Sequence, residues 1–130
     1  MRNSITIKDS RGELSKFFLE IDFIPKEFFI IKDVPAGAFR GKHAHFRCNQ
    51  LIMLIKGQMN VNLENKNDSK TVNLSIPGSF LLIPALTWSE QEYISPNTEI
   101  IVFCSEEFAE EDYIRNYEDF LKLLQGLKNK

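Results

Sequence analysis

His43 and His45 are the chain's only two histidines, two residues apart in Arg40-Gly41-Lys42-His43-Ala44-His45. In a β-strand, side chains at i and i+2 point to the same face. A strand here would aim both imidazoles into one space, and any imidazole chemistry this protein performs must happen there. With an unperturbed pKa of about 6.5, imidazole gives and takes protons near neutrality, so acid–base chemistry is expected. Two polar residues on a solvated strand face would show the same spacing, so the surrounding elements must decide.

Those elements are short and apolar. Ile5–Ile7 and 14–21, joined by Asp9-Ser10-Arg11-Gly12, read as an N-terminal hairpin. Phe28-Phe29-Ile30-Ile31 is too short for a helix and reads as a strand buried on both faces. The histidine strand follows from about Phe39 to Phe46, then an apolar strand over Leu51–Ile55. Met59, Val61 and Leu63 alternate with polar residues, as do Val72, Leu74 and Ile76 after a polar turn at 65–69. Phe80–Ile83, Ser89–Tyr93 and Ile100–Cys104 complete the strands. Glu106–Asp112 has five acidic residues among seven and reads as a solvated turn. Asn116 caps a helix with Tyr117, Phe120, Leu121 and Leu124 at helical spacing; Gly126 should stop it, leaving 127–130 frayed. Many short strands and one late helix predict a single all-β domain over 1–130, an antiparallel sandwich or barrel.

Bulk properties agree with an ordinary globular domain: 43% hydrophobic and 26% charged residues. A net charge of −2 gives no general attraction to nucleic acid. No signal-peptide pattern or membrane-length apolar run is present, so a soluble cytoplasmic protein is expected, with Cys48 and Cys104 as free thiols.

The spacing around the histidines is more specific. Gly37, five residues, His43-Ala44-His45, four residues, Gln50, six residues and Gly57 form one frame. Gly78, five residues and Pro84, leading to Leu86-Thr87-Trp88-Ser89, form a second. Together they resemble the two motifs of the cupin superfamily, which implies a jelly-roll (double-stranded β-helix) barrel with a pocket in its mouth. Gln50 and Ser89 stand where a metal-binding cupin has glutamate and histidine. Amide and hydroxyl oxygens are poor replacements for carboxylate and imidazole at a divalent transition metal, so no metal is expected.

A narrower resemblance covers almost the whole chain. Asp9-Ser10-Arg11-Gly12, Arg40-Gly41-Lys42-His43-Ala44-His45, Pro84–Trp88 and Asp112-Tyr113-Ile114-Arg115-Asn116-Tyr117 with Phe120 resemble the bacterial dTDP-sugar 3,4-ketoisomerases. The resemblance implies a cofactor-free homodimer that moves the ketone of dTDP-4-keto-6-deoxy-D-glucose from C4 to C3, on the way to 3-amino sugars of surface polysaccharide. It carries the catalytic role onto His43 and His45. Of these, His45 is expected to take the C3 proton and His43 to handle protons at the oxygens. Arg40, Gln50, Trp88 and Ser89 are the expected substrate-binding residues. Arg40, three residues before His43, falls on the opposite alternation, aimed at a strand edge or the diphosphate. Phe28-Phe29 occupies a region where a tyrosine near the sugar is expected, while Arg11 and Arg115 suit structure or a dimer contact. The alternatives are a non-catalytic cupin that binds a nucleotide sugar and a 3,5-epimerase acting on the same keto-sugar.

Overall fold

The computed structural model describes residues 3–128. The chain runs through β1 (Ser4–Asp9), β2 (Gly12–Phe17), β3 (Glu27–Ile31), β4 (Phe39–His45), β5 (Gln50–Lys56) and β6 (Met59–Glu64). It continues through β7 (Ser69–Leu74), β8 (Phe80–Ile83), β9 (Trp88–Tyr93) and β10 (Glu99–Cys104). A 3₁₀ turn (Glu110–Asp112), β11 (Tyr113–Ile114) and α1 (Tyr117–Lys128) complete it. Two antiparallel sheets, β3-β10-β5-β8 and β11-β4-β9-β6-β7, face each other, and β1 pairs with β2 as a separate hairpin. Ile52, Leu54, Ile100 and Val102 from one sheet meet Met59, Val61, Leu63 and Tyr93 from the other in one core. This is the all-β jelly roll with a C-terminal helix expected from the sequence. Among the described residues no ladder joins the two sheets. No helix there is long and apolar enough to cross a membrane.

Local sequence explains the sheets. In β6, Met59, Val61 and Leu63 are buried while the alternating Asn60, Asn62 and Glu64 are half-buried, the pattern of a strand with one face in the core. β5 is apolar from Leu51 to Ile55 because it lies between β10 and β8, and Leu51 through Leu54 are all buried. Gly57 turns the chain from β5 to β6 at φ +91°; a Cβ there would lie 2.4 Å from the Thr98 Cα. No other residue fits without moving backbone.

Several expectations need correction. β3 is not buried on both faces: it pairs only with β10, and Phe28 and Ile30 are 62% and 56% exposed. An apolar run reports stickiness, not which neighbour covers it. β2 ends at Phe17 instead of Ile21, and β7 begins at Ser69 and stops before Ile76, which is exposed. α1 does start under Asn116, whose side-chain oxygen accepts the Asp119 amide at 2.9 Å. It then runs through Gly126 to Lys128, because Gly126 keeps a helical conformation and does not adopt the left-handed one that would end the helix. The expected fraying at 127–130 fails for Leu127 and Lys128; Asn129 and Lys130 lie outside the described residues.

Candidate active site

The site is built on an irregularity in β4. The β4–β9 register shifts between Gly41 and His43, with Gly41 at φ +88° and Lys42 at φ +60°. Such a bulge inserts a residue and reverses side-chain alternation beyond it. Arg40 and His43 consequently line the same cavity, of about 240 Å³, with Gln50, Gln91, Tyr113 and Arg115. Strict alternation had put Arg40 on the other face. The expectation failed because alternation counts residues, and the bulge adds one.

His43 and His45 do share a face, their ring centroids 5.0 Å apart and the rings edge-on at 88°. His43 Nδ1 lies 3.2 Å from the Gly41 carbonyl, and His45 Nδ1 lies 3.1 Å from Asp112 Oδ2. Carbonyl and carboxylate oxygens only accept, so both Nδ1 atoms carry the hydrogen and both Nε2 atoms are left with a lone pair. His45 Nε2 is buried and has no partner among the described residues. Burial, and then the neighbouring His45, push His43 down to about 4. Burial also lowers His45, while the hydrogen bond and charge of Asp112 pull it back up. Both rings therefore rest neutral at pH 7.

Asp112 is the residue that sequence reading missed. The acidic run around it looked solvated, yet Asp112 is 3% exposed. Its carboxylate accepts the Arg47 and Cys48 amides at 2.7 and 3.2 Å besides His45. β11 brings it there by pairing with β4, Tyr113 opposite His45 and Ile114 opposite Ala44. The available signal was the Asp112-Tyr113-Ile114-Arg115 segment, read only as part of a resemblance. Tyr113, beside it, sits 4.3 Å from the His45 ring and 5.0 Å from the His43 ring, centroid to centroid. The Arg115 guanidinium stacks 4.1 Å over Tyr113 and is paired with Glu110 at 2.6 Å. Arg115 thus belongs to the cavity wall, and the assignment to structure or a dimer contact is incomplete. Arg11 stays local, paired with Asp9.

The other expected ligands divide. Gln50 lines the cavity and also a separate void of about 10 Å³ whose walls include His45 and both thiols; His45 itself lines that void and not the cavity. Ser89 is buried in β9, opposite His43 in the ladder but not lining the cavity. Trp88 is not at the histidines. It points to the opposite side of β9, where its ring meets Tyr117 and Phe120 of α1 and its indole N–H donates to Glu90 at 3.0 Å. One step along a strand reverses the face, so Trp88 serves the helix-side core while Gln91 lines the cavity. Cys48 and Cys104 are free and buried.

The donor set does not fit a transition metal. Where cupin metals take glutamate and a third histidine, the chain offers the amide of Gln50 and the hydroxyl of Ser89. His45, Cys48 and Asp112 do bring donor atoms within 4.8 Å of one another. Asp112, however, is already engaged by His45 and two backbone amides.

Known proteins are similar to this chain along most of its length. A TDP-4-oxo-6-deoxy-alpha-D-glucose-3,4-oxoisomerase of Aneurinibacillus thermoaerophilus is 31% identical over 120 residues, 91% of this chain and 86% of its own. The crystal structure of a 3,4-ketoisomerase from Helicobacter canadensis matches with TM-score 0.80 at 29% identity, covering 95% of this chain and 94% of that one. A histidine-to-asparagine mutant of the Thermoanaerobacterium thermosaccharolyticum 3,4-ketoisomerase QdtA, solved with TDP-4-keto-6-deoxyglucose, matches with TM-score 0.80 at 26% identity, covering 97% and 96%. The family model FdtA: WxcM-like, C-terminal matches residues 1–125, and the chain belongs to that family.

Proposed function

We propose that the protein is a metal-independent keto-sugar isomerase that converts dTDP-4-keto-6-deoxy-D-glucose to the 3-keto isomer. The observation that carries the reading is the neutral histidine pair beside a cavity flanked by Arg40 and Arg115, with His45 held by buried Asp112. The proton at C3, next to the C4 ketone, is acidic. His45 removes it through Nε2, leaving an enediol, and returns it at C4. Asp112 fixes the tautomer that exposes that lone pair and stabilises the imidazolium formed. His43 and Gln50 hydrogen-bond the oxygens of the enediol. Arg40, which makes no ion pair among the described residues, suits a diphosphate because its planar fork binds two oxygens at once.

The working form is a homodimer in the cytoplasm. Support for the dimer comes from the apolar surface one copy leaves bare: Phe28 and Ile30 on edge strand β3, and Ile5, Ile7 and Leu14 on the detached hairpin. The product feeds a transamination at C3, toward 3-amino sugars for surface polysaccharide. Incubation with dTDP-4-keto-6-deoxyglucose in D₂O, followed by NMR, tests the reading. A C3 ketone is expected, carrying deuterium at C4 to the extent that the His45 imidazolium exchanges its proton with solvent before returning it. Label at C5 would instead make the protein an epimerase, and binding with neither a C3 ketone nor isotope uptake would make it a non-catalytic sugar-nucleotide binder.

A further inference from the structure

The histidine pair, as hydrogen-bonded, contains two bases and no acid. Each Nδ1 hydrogen is committed, one to Gly41 and one to Asp112, so neither neutral Nε2 can protonate an oxygen. Isomerisation also needs a proton delivered to O4 and one removed from O3. Arginine does not give up its proton in this range, and the Gln50 amide is not an acid. Of the nearby hydroxyls, that of Tyr93 donates to Gln91 Oε1 at 2.8 Å, and Ser89 lines neither the cavity nor the small void beside His45. Tyr113 remains. Its ring touches both imidazoles, it lines the cavity and the void behind His45, and its hydroxyl has no hydrogen-bond partner among the described residues. Burial raises its phenol above the ordinary value, so it stays protonated at pH 7.

We infer that Tyr113 is the catalytic acid that relays the hydroxyl proton between O3 and O4, an assignment that rests on the ketoisomerase reading. As His45 takes the C3 proton, the Tyr113 O–H protonates O4 and leaves a phenolate. That phenolate then accepts the O3 proton while the His45 imidazolium protonates C4. One proton moves from C3 to C4 and one from O3 to O4; C4 is reduced, C3 is oxidised, and both residues return to their starting forms. Arg115, stacked on the ring, stabilises the transient phenolate. The relay stands in for the phenol that Phe28-Phe29 lacks.

Steady-state kinetics with dTDP-4-keto-6-deoxyglucose test the assignment in two variants. Tyr113→Phe should lose about 10²–10⁴ in kcat with KM within about threefold. Replacement of Tyr113 by a fluorinated tyrosine, which keeps the ring and acidifies the phenol, should move the alkaline limb of the kcat–pH profile downward. A Tyr113→Phe protein with kcat within about threefold of wild type would overturn the relay, as would an alkaline limb that ignores the fluorine. Wild type that binds substrate but does not turn it over would sink the ketoisomerase reading itself, a result distinct from either.

Discussion

At the scale of single residues, the site depends on which imidazole nitrogen carries the hydrogen. Asp112 decides this for His45, and Asp112→Asn should lower kcat by at least about 10² while leaving KM nearly unchanged. Because Asp112 raises the His45 pKa, its loss should also move the acidic limb of the kcat–pH profile to lower pH. His45→Ala should abolish turnover and keep nucleotide affinity within about tenfold, measured by calorimetry. His43 bears on stability. The folded protein holds it at about 4 against an ordinary 6.5, so between those values the unfolded chain takes up a proton that the native state refuses. Stability should therefore fall as pH drops through that window, and urea melts at pH 7 and pH 5 should converge in His43→Asn relative to wild type. The imidazole pair was legible because two residues of spacing suffice to define a shared face. Asp112 was not, because an acidic run carries no mark of the one carboxylate that folds inward.

At the scale of elements, the β4 bulge and the two residues of β11 are decisive. The bulge brings Arg40 to the same cavity as His43, and Gly41 makes it possible. A Cβ at Gly41 would lie 3.3 Å from the Ser89 carbonyl oxygen, on backbone at φ +88°. Gly41→Ala should cost about 1–3 kcal/mol in a thermal or urea melt. It should also reduce kcat/KM, because any relief of the clash shifts Arg40 and His43. β11 is too short to appear in any periodicity, yet its pairing with β4 delivers Asp112, Tyr113 and Arg115 to the histidines. β9 shows the converse. Its alternation was readable, but which face looked into the cavity was not, and Trp88 went to the helix side.

At the scale of the whole molecule, the exposed apolar surface calls for a partner. Five large side chains, Ile5, Ile7, Leu14, Phe28 and Ile30, are each more than a third exposed, on a hairpin and an edge strand that pair with no further strand among the described residues. Unpaired apolar edges of this kind invite association. The protein should sediment as a dimer, and the double variant Phe28→Asp, Ile30→Asp should shift it to monomer at micromolar concentration with the core intact by thermal melt.

By itself the sequence determined the strand periodicities, the glycines where the backbone must turn, and the histidine pair with the motif around it. These are local properties, carried by alternation and residue type. Only the tertiary structure decided which residues complete the site. Asp112 and Tyr113 lie 67 and 68 positions beyond His45, and bringing them there takes a ladder between β4 and β11. Register across such a distance is set by the packing of two sheets and a helix, which no spacing along the chain records.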